Sequence, residues 1–190
     1  HAKPSLEAHV KSWDIQCGIE EYVPLTFASS LLPSEIGTFA RQDKYLAHFI
    51  GNGYKKEINN RLRLRFRGVK IVNTPPFISE HERQQIFLSS KVALGWHSDG
   101  NIQNNAVVER VFEGLAFGNF VISDTIMASE ITEGIVEFSD TYESTRELLL
   151  RVKKDESFLR EKVEAGQTWA KSKGTYFHVA KNFLDFFDSK

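Results

Sequence analysis

Residues 105–124, which read NAVVERVFEGLAFGNFVISD, constrain the possible folds of this chain most strongly. Their first part places apolar side chains at helical spacing, with polar side chains between them. The apolar positions are Val107, Val108, Val111, Phe112, Leu115 and Ala116. We expect Asn104 or Asn105 to cap this helix and Gly118 to end it in a left-handed conformation. The apolar run 120–122 then fits a strand buried on both faces, so the segment predicts half of a parallel βαβ unit.

The same alternation of strand and helix extends along the chain. Strands are predicted at 45–50, 69–72, 92–95, 120–122 and 135–138, and helices at 55–66, 80–89, 105–116, 141–153, 158–170 and 176–187. Ser79 and Glu82 form a capping-box pattern that supports the start of the second of these helices. Because strands and helices alternate, we predict an α/β fold with a Rossmann-like, doubly wound parallel sheet flanked by helices.

This pattern divides the chain into three parts. Residues 1–43 lack a sustained hydrophobic period, so we interpret them as a lead-in or interdomain linker. Residues 44–174 contain the alternating strands and helices and are predicted to form one Rossmann-like domain. Residues 175–190 are expected to form a C-terminal helix, whose aromatic side packs on this domain or on a missing N-terminal lobe.

Composition and charge exclude several classes of protein. The 24 basic and 25 acidic residues give a formal charge of -1, which argues against general attraction to nucleic acid or anionic lipid. A single cysteine excludes an internal disulfide framework and a cysteine-based zinc cluster, and it is compatible with a reducing, cytoplasmic compartment. The sequence contains no apolar run of the roughly 20 residues that a membrane span needs.

The basic run 55–67 is a local exception to this charge balance. Lysine or arginine occupies positions 55, 56, 61, 63, 65 and 67 among helix-forming residues. One interpretation is a solvated basic face of a helix. The other is an anion site, because the turn containing Gly51 and Asn52 leads into this helix, where Lys55 could complement a diphosphate.

A second candidate lies in the polar turn 96–101, which follows the third predicted strand. Parallel sheets of this kind bind ligands beyond the carboxyl ends of their strands, and the turn places His97 at that edge. His97 is therefore a candidate contact for phosphate or sugar, although a loop histidine more often has a structural role. The acidic residues form no paired metal motif and the histidines lack zinc-like spacing, so we expect no metal site.

The stretch 110–124, RVFEGLAFGNFVISD, resembles the C-terminal, nucleotide-sugar-binding half of glycosyltransferases with the two-Rossmann-domain (GT-B) architecture. Within that family it is similar to the glycosyltransferase-1-like subgroup that includes spore-maturation-protein-like members. The resemblance runs from about residue 24 to residue 187, and it includes the segments FIGN at 49–52 and SKVAL at 90–94. The central motif carries most of it.

The resemblance implies transfer of a sugar from a nucleoside-diphosphate sugar to a glycan, protein or small-molecule acceptor. Glu113 matches the family glutamate, whose two carboxylate oxygens accept hydrogen bonds from the ribose hydroxyls of the donor. The alternative for Glu113 is an exposed helix residue paired with Arg110. Arg110 itself either neutralises the diphosphate or reduces the repulsion between Glu109 and Glu113 on one face of the helix. Since GT-B enzymes generally work without a bound metal, the resemblance implies no cofactor other than the donor substrate.

Two positions depart from the wider family. Asn105 stands eight residues before Glu113, where many relatives carry another glutamate, so it can hydrogen-bond a donor but supplies no catalytic carboxylate. Asn119 replaces the proline that commonly follows the motif glycine. The length of the chain also leaves no room for a second Rossmann domain, which implies a separate N-terminal lobe.

Two other classes of protein remain open from the sequence. The first is a catalytically inactive nucleotide-sugar-binding or scaffold module of the same fold, which would explain the asparagine at position 105. The second is a response-regulator-like or flavodoxin-like signalling domain, which shares the parallel sheet. A domain of that second class would need an acidic cluster at a strand end or a flavin-binding loop, and the sequence shows neither motif.

Overall fold

The computed structural model describes residues 27–52, 55–73, 78–104 and 106–188. Within these ranges the strands are β1 (Tyr45–Gly51), β2 (Val69–Asn73), β3 (Ser90–Gly95), β4 (Phe120–Ser123) and β5 (Glu137–Phe138). They form one sheet in the order β2-β1-β3-β4-β5, and each strand runs parallel to its neighbours. The predicted parallel sheet is therefore confirmed.

Helices cover both faces of this sheet. They are α1 (Lys56–Arg65), α2 (Glu80–Leu88), α3 (Asp99–Gln103), α4 (Glu109–Ala116), α5 (Ile126–Ile131), α6 (Tyr142–Lys154), α7 (Glu156–Lys173) and α8 (Tyr176–Asp188). Buried side chains of α2 and α4 belong to the core on one face, and those of α1 and α6 belong to the core on the other. This layering is the Rossmann-like, doubly wound arrangement predicted from the sequence.

Alternating side chains of the central strands supply these two cores. Ala93 of β3 and Val121 of β4 lie in the core beside α2 and α4. Their chain neighbours Leu94 and Ile122 point to the opposite core, beside α1 and α6. Because both faces of β3 and β4 are covered, their sequences are unbroken apolar runs rather than alternating ones.

The predicted capping box and glycine stop are both present. The hydroxyl of Ser79 accepts a hydrogen bond from the backbone of Glu82, whose carboxylate accepts one from the backbone of Ser79 in return. Gly118 has a φ of 76°, which is the left-handed conformation expected after the central helix. These local signals therefore place the start of α2 and the end of α4 where the sequence predicted them.

Asn119, which replaces the family's proline, has a structural role at the start of β4. It is fully buried, and its Nδ2 donates a hydrogen bond to the carbonyl oxygen of Phe87 at 2.9 Å. The same amide donates to the carbonyl oxygen of Ser90. The side chain therefore connects β4 to the end of α2 and to the start of β3, a link that a proline could not make because it lacks a side-chain donor.

The prediction that the central helix spans 105–116 is wrong at its start. Val108 is the N-cap of α4 and is extended, while Asn104 instead follows the short helix α3. Asn105 lies outside the described residues. The physical reason is a tertiary hydrogen bond, in which the backbone N–H of Val108 donates to Nε2 of His97 at 3.1 Å. That contact holds the residues before α4 outside the helix, although their apolar spacing is helical.

Candidate functional site

A cleft opens at the carboxyl edge of the sheet, next to the point where the strand order reverses between β1 and β3. Doubly wound sheets bind ligands at this kind of switch point. The cleft has a volume of about 440 Å³ and lies between α2 and α4, beyond the end of β1. Its charged and close-packed lining includes Gly51, Glu80, Arg83, Glu109, Arg110 and Glu113.

Glu113 lines this cleft and is only 1% exposed. The alternative interpretation of Glu113 as an exposed helix residue is therefore wrong. The cause is the close approach of α4 to the sheet at Gly114, where an added Cβ would lie 2.8 Å from a methyl carbon of Val121. Because the helix packs so tightly, residues 111–116 are all buried, including those outside the apolar stripe.

Arg83 of α2 is the cation closest to the Glu113 carboxylate among the described residues. Its Nη2 lies 2.9 Å from Oε1 of Glu113 and 2.6 Å from Oε2 of Glu80, and its Nη1 lies 3.9 Å from Oε2 of Glu109. Despite that distance, Oε1 of Glu113 has no hydrogen-bond partner among the described residues. One guanidinium therefore serves three carboxylates, and the buried one is incompletely satisfied.

The environment of Glu113 favours its neutral form. The pKa of Glu113 is raised from 4.5 to about 7, mainly by burial and in smaller part by the neighbouring carboxylates of Glu109 and Glu80. Arg83, and more weakly Arg110, oppose this shift by attracting the ionised carboxylate. The cleft therefore contains a carboxyl group that changes charge near neutral pH, and Arg83 is the main group that favours its anionic state.

Arg110 lies against the end of β1. Its Nη1 donates a hydrogen bond to the backbone carbonyl of Trp96 at 3.1 Å, and its guanidinium lies 5.6 Å from the ring centre of Phe49. A Cβ added to Gly51 would lie 2.8 Å from Nη1 of Arg110 and 2.7 Å from the Phe49 ring. The absence of a side chain at Gly51 thus allows a guanidinium to lie at the end of the strand, beside the cleft.

His97 is buried at the carboxyl end of β3, and both of its ring nitrogens have protein partners. Its Nδ1 lies 2.7 Å from Oδ1 of Asp124, and its Nε2 accepts the hydrogen bond from Val108. Because Nε2 is an acceptor, the proton is on Nδ1 and is donated to the Asp124 carboxylate. In this structure His97 joins three loops at the sheet edge, and its contact with a donor stays a prediction.

The other predicted site residues lie around the same edge. Lys55 is the N-cap of α1, with a φ of 53°, and its Nζ lies 3.7 Å from Oδ2 of Asp124. Asn52 is exposed at the end of β1. Neither residue lines the cleft between α2 and α4 that contains Glu113 and Arg110. Asn105 is outside the described residues, so its position relative to the cleft is not assigned.

Arg83 and Glu80 belong to the site but were not predicted from the sequence. Both lie in the first turns of α2, where the sequence was used only for its capping box. Arg83 and Glu113 are 30 positions apart in sequence and lie on different helices. Helical periodicity does not predict a contact between them. A usable signal was the position of α2, because it also begins at the carboxyl edge of the sheet.

None of the helices in the described ranges is both long and apolar enough to cross a membrane. Among the same residues, no cluster of three or more histidine, cysteine, aspartate or glutamate side chains could hold a metal ion.

Comparison with known proteins assigns the chain to a family. The family described as glycosyl transferase-like matches residues 37–185, which is well over half of the chain. The matched region includes all five strands and the cleft beside α2 and α4. No curated protein matches the chain, and its relation to spore-maturation-protein-like members stays a prediction. The parallel α/β fold agrees with the family match, and the chain belongs to the glycosyl transferase-like family.

Proposed function

We propose that this chain is the donor-binding lobe of a GT-B glycosyltransferase and that its cleft binds a nucleoside-diphosphate sugar. The observation that supports this most is the state of Glu113, the residue that matches the family's ribose-binding glutamate. It lines the cleft, it is buried, and its Oε1 has an ion-pair contact with Arg83 at 2.9 Å but no aligned hydrogen-bond donor among the described residues. A buried carboxylate oxygen without an aligned donor is costly, and a ribose hydroxyl would supply that donor.

The diphosphate would lie towards the open edge of the sheet. There the N-terminal ends of α2 and α4 flank the cleft, so the positive ends of their helix dipoles favour an anion. Arg110, held beside Gly51, adds a full positive charge. These groups would stabilise the negative charge that develops on the leaving nucleoside diphosphate as the glycosidic bond breaks. Lys55 and Asn52 would extend the site at the neighbouring loop.

Arg83 acts on the donor through Glu113. Only the ionised carboxylate offers two acceptor oxygens for two ribose hydroxyls. The pKa of Glu113 is about 7 even with Arg83 beside it, so the guanidinium of Arg83 is needed to keep a useful fraction ionised near neutral pH. We therefore assign Arg83 the role of a positioning residue, and donor binding should strengthen as pH rises through neutrality.

Thermal-shift and calorimetric titrations with UDP, GDP, TDP, CDP and their sugars test this proposal. We expect one nucleotide series to raise the melting temperature, because a ligand that binds only the native state stabilises it. The variant Glu113→Ala should bind that series roughly 100-fold more weakly or worse, since two hydrogen bonds to a charged group, of about 1.5 kcal/mol or more each, are lost. Glu143→Ala is the matched control, because Glu143 is an exposed glutamate paired with Arg61 on the other face of the sheet.

Two results would contradict the proposal. One is the absence of a melting shift with every nucleotide, and the other is an equal effect of the Glu113 and Glu143 variants. Metal independence is part of the proposal and predicts that a chelator leaves binding unchanged. The acceptor and the catalytic base would come from an N-terminal lobe, so sugar transfer is measured in the two-lobed protein. Nucleotide binding without any transfer there would favour the inactive module.

A further inference from the structure

We propose that the exposed basic face of α1 is a docking surface for an anionic phospholipid bilayer. This face, called the α1 face below, consists of Lys56, Arg61, Arg63, Leu64 and Arg65 of the helix together with Arg67, which follows its end. All six residues are exposed, whereas Asn59, Leu62 and Phe66 on the inner side of the segment are buried. The proposal is independent of donor binding, because α1 contributes no residue to the cleft between α2 and α4.

The α1 face carries a local excess of positive charge. Five cations occur within 56–67 against the single carboxylate of Glu57, although the whole chain has a formal charge of -1. Arg61 is already engaged, because it pairs with Glu143 at 3.1 Å and lies 3.8 Å from the ring centre of Tyr142. The other four cations, Lys56, Arg63, Arg65 and Arg67, form no ion pair with any described residue.

Leu64 gives the α1 face an apolar centre. It is 89% exposed, which is the largest exposure of any large hydrophobic side chain in the described part of the chain. Successive helical residues are rotated by about 100°, so Arg63 and Arg65 lie on either side of it. The face therefore presents one aliphatic side chain between two guanidinium groups, directly away from the core.

This combination fits a lipid surface better than another polyanion. Arginine binds lipid phosphates, and each cation near an anionic membrane adds attraction, while a central leucine can enter the acyl boundary between the headgroups. Single-stranded nucleic acid is bound through aromatic stacking platforms, and the α1 face has no aromatic residue. An acidic protein would satisfy the arginines but would gain nothing from one isolated leucine.

Docking through the α1 face leaves the candidate site accessible. Leu62 of α1 belongs to the core on the sheet face opposite α2 and α4. The cleft opens on the α2 and α4 side, at the carboxyl edge of the sheet. A bilayer on the α1 face would therefore cover the back of the domain and not the mouth of the cleft.

Vesicle sedimentation of the full chain tests the proposal. The probes are vesicles of phosphatidylglycerol and phosphatidylcholine in equal parts, and vesicles of phosphatidylcholine alone. We expect binding to the anionic vesicles only, with a loss at high salt. The variant R63Q/R65Q/R67Q should lose roughly 100-fold in partition coefficient, at roughly fivefold for each cation removed. Leu64→Ser should weaken binding several-fold without changing its salt dependence.

The matched control is K153Q/K154Q/K171Q, which removes three exposed lysines from α6 and α7. It should bind the anionic vesicles much more strongly than R63Q/R65Q/R67Q does, since α6 lies beside α1 and α7 lies further away, so these lysines attract the bilayer less than the arginines of the α1 face. Three results would overturn the proposal: no binding of the wild-type chain to anionic vesicles, an equal loss in the control, or no effect of Leu64→Ser. If Leu64→Ser has no effect and the chain also binds an oligonucleotide or polyglutamate as strongly as the anionic vesicles, the α1 face is a general polyanion surface instead. Circular dichroism of each variant verifies that it is folded.

Discussion

Replacing Glu113 with glutamine should stabilise the protein above neutral pH. The pKa of Glu113 is about 7 in the folded chain and 4.5 as the ordinary value, so between these pH values only the unfolded state loses the proton. The folded state then binds more protons, and the free energy of unfolding falls as pH rises through this window. This difference in pKa between the folded and unfolded states lowers the free energy of unfolding by at most about 3 kcal/mol. Glutamine has a similar shape and does not titrate, so the variant lacks this fall in the free energy of unfolding.

Urea denaturation of the wild-type chain and Glu113→Gln at about pH 5 and about pH 8 measures the effect. The difference in unfolding free energy between the two proteins should shift in favour of the glutamine variant by about 2 to 3 kcal/mol on going to the higher pH. Burial, with Arg41 and Lys70, lowers the pKa of His48 to about 3, which gives the opposite slope below its ordinary value of 6.5. That contribution is common to both proteins and cancels. An identical pH dependence in the two proteins would refute the reasoning.

Three further substitutions test the packing and charge of the site. Asn119→Ala should lower the free energy of unfolding by about 2 to 3 kcal/mol in urea, because two buried hydrogen bonds to backbone carbonyls are lost. Gly51→Ala should cost about 1 to 3 kcal/mol and weaken nucleotide binding, since its Cβ would contact the guanidinium of Arg110. Arg83→Met should move the pH midpoint of nucleotide binding upwards, because Glu113 loses its main cation. Weaker binding with an unchanged midpoint would indicate that Arg83 has a structural role only.

The architecture could be predicted from the sequence because its signals are local. Strands buried on both faces are continuous apolar runs. A capping box marks the start of α2, and Gly118 follows the end of α4. Right-handed crossovers and chain order then restrict the possible sheet topologies. The start of α4 could not be predicted in the same way, because the hydrogen bond between Val108 and His97 joins segments that are distant in the pattern.

The candidate site was only partly predictable for a related reason. Glu113 and Arg110 were identified through a motif, yet the burial of Glu113 follows from the close contact of Gly114 with the sheet. Its pairing with Arg83 depends on how α2 and α4 pack together across the cleft. Charge pairs between helices are set by tertiary packing, which a single sequence shows only when the fold is already known.

The most direct test of the donor-binding proposal is a crystal structure of this chain with the nucleoside diphosphate that raises its melting temperature. We predict that both ribose hydroxyls lie within hydrogen-bond distance of the Glu113 carboxylate and that the diphosphate lies beside Arg110 at the open edge of the cleft. A nucleotide bound elsewhere, with the contact between Arg83 and Glu113 unchanged and the cleft empty, would contradict the proposed function.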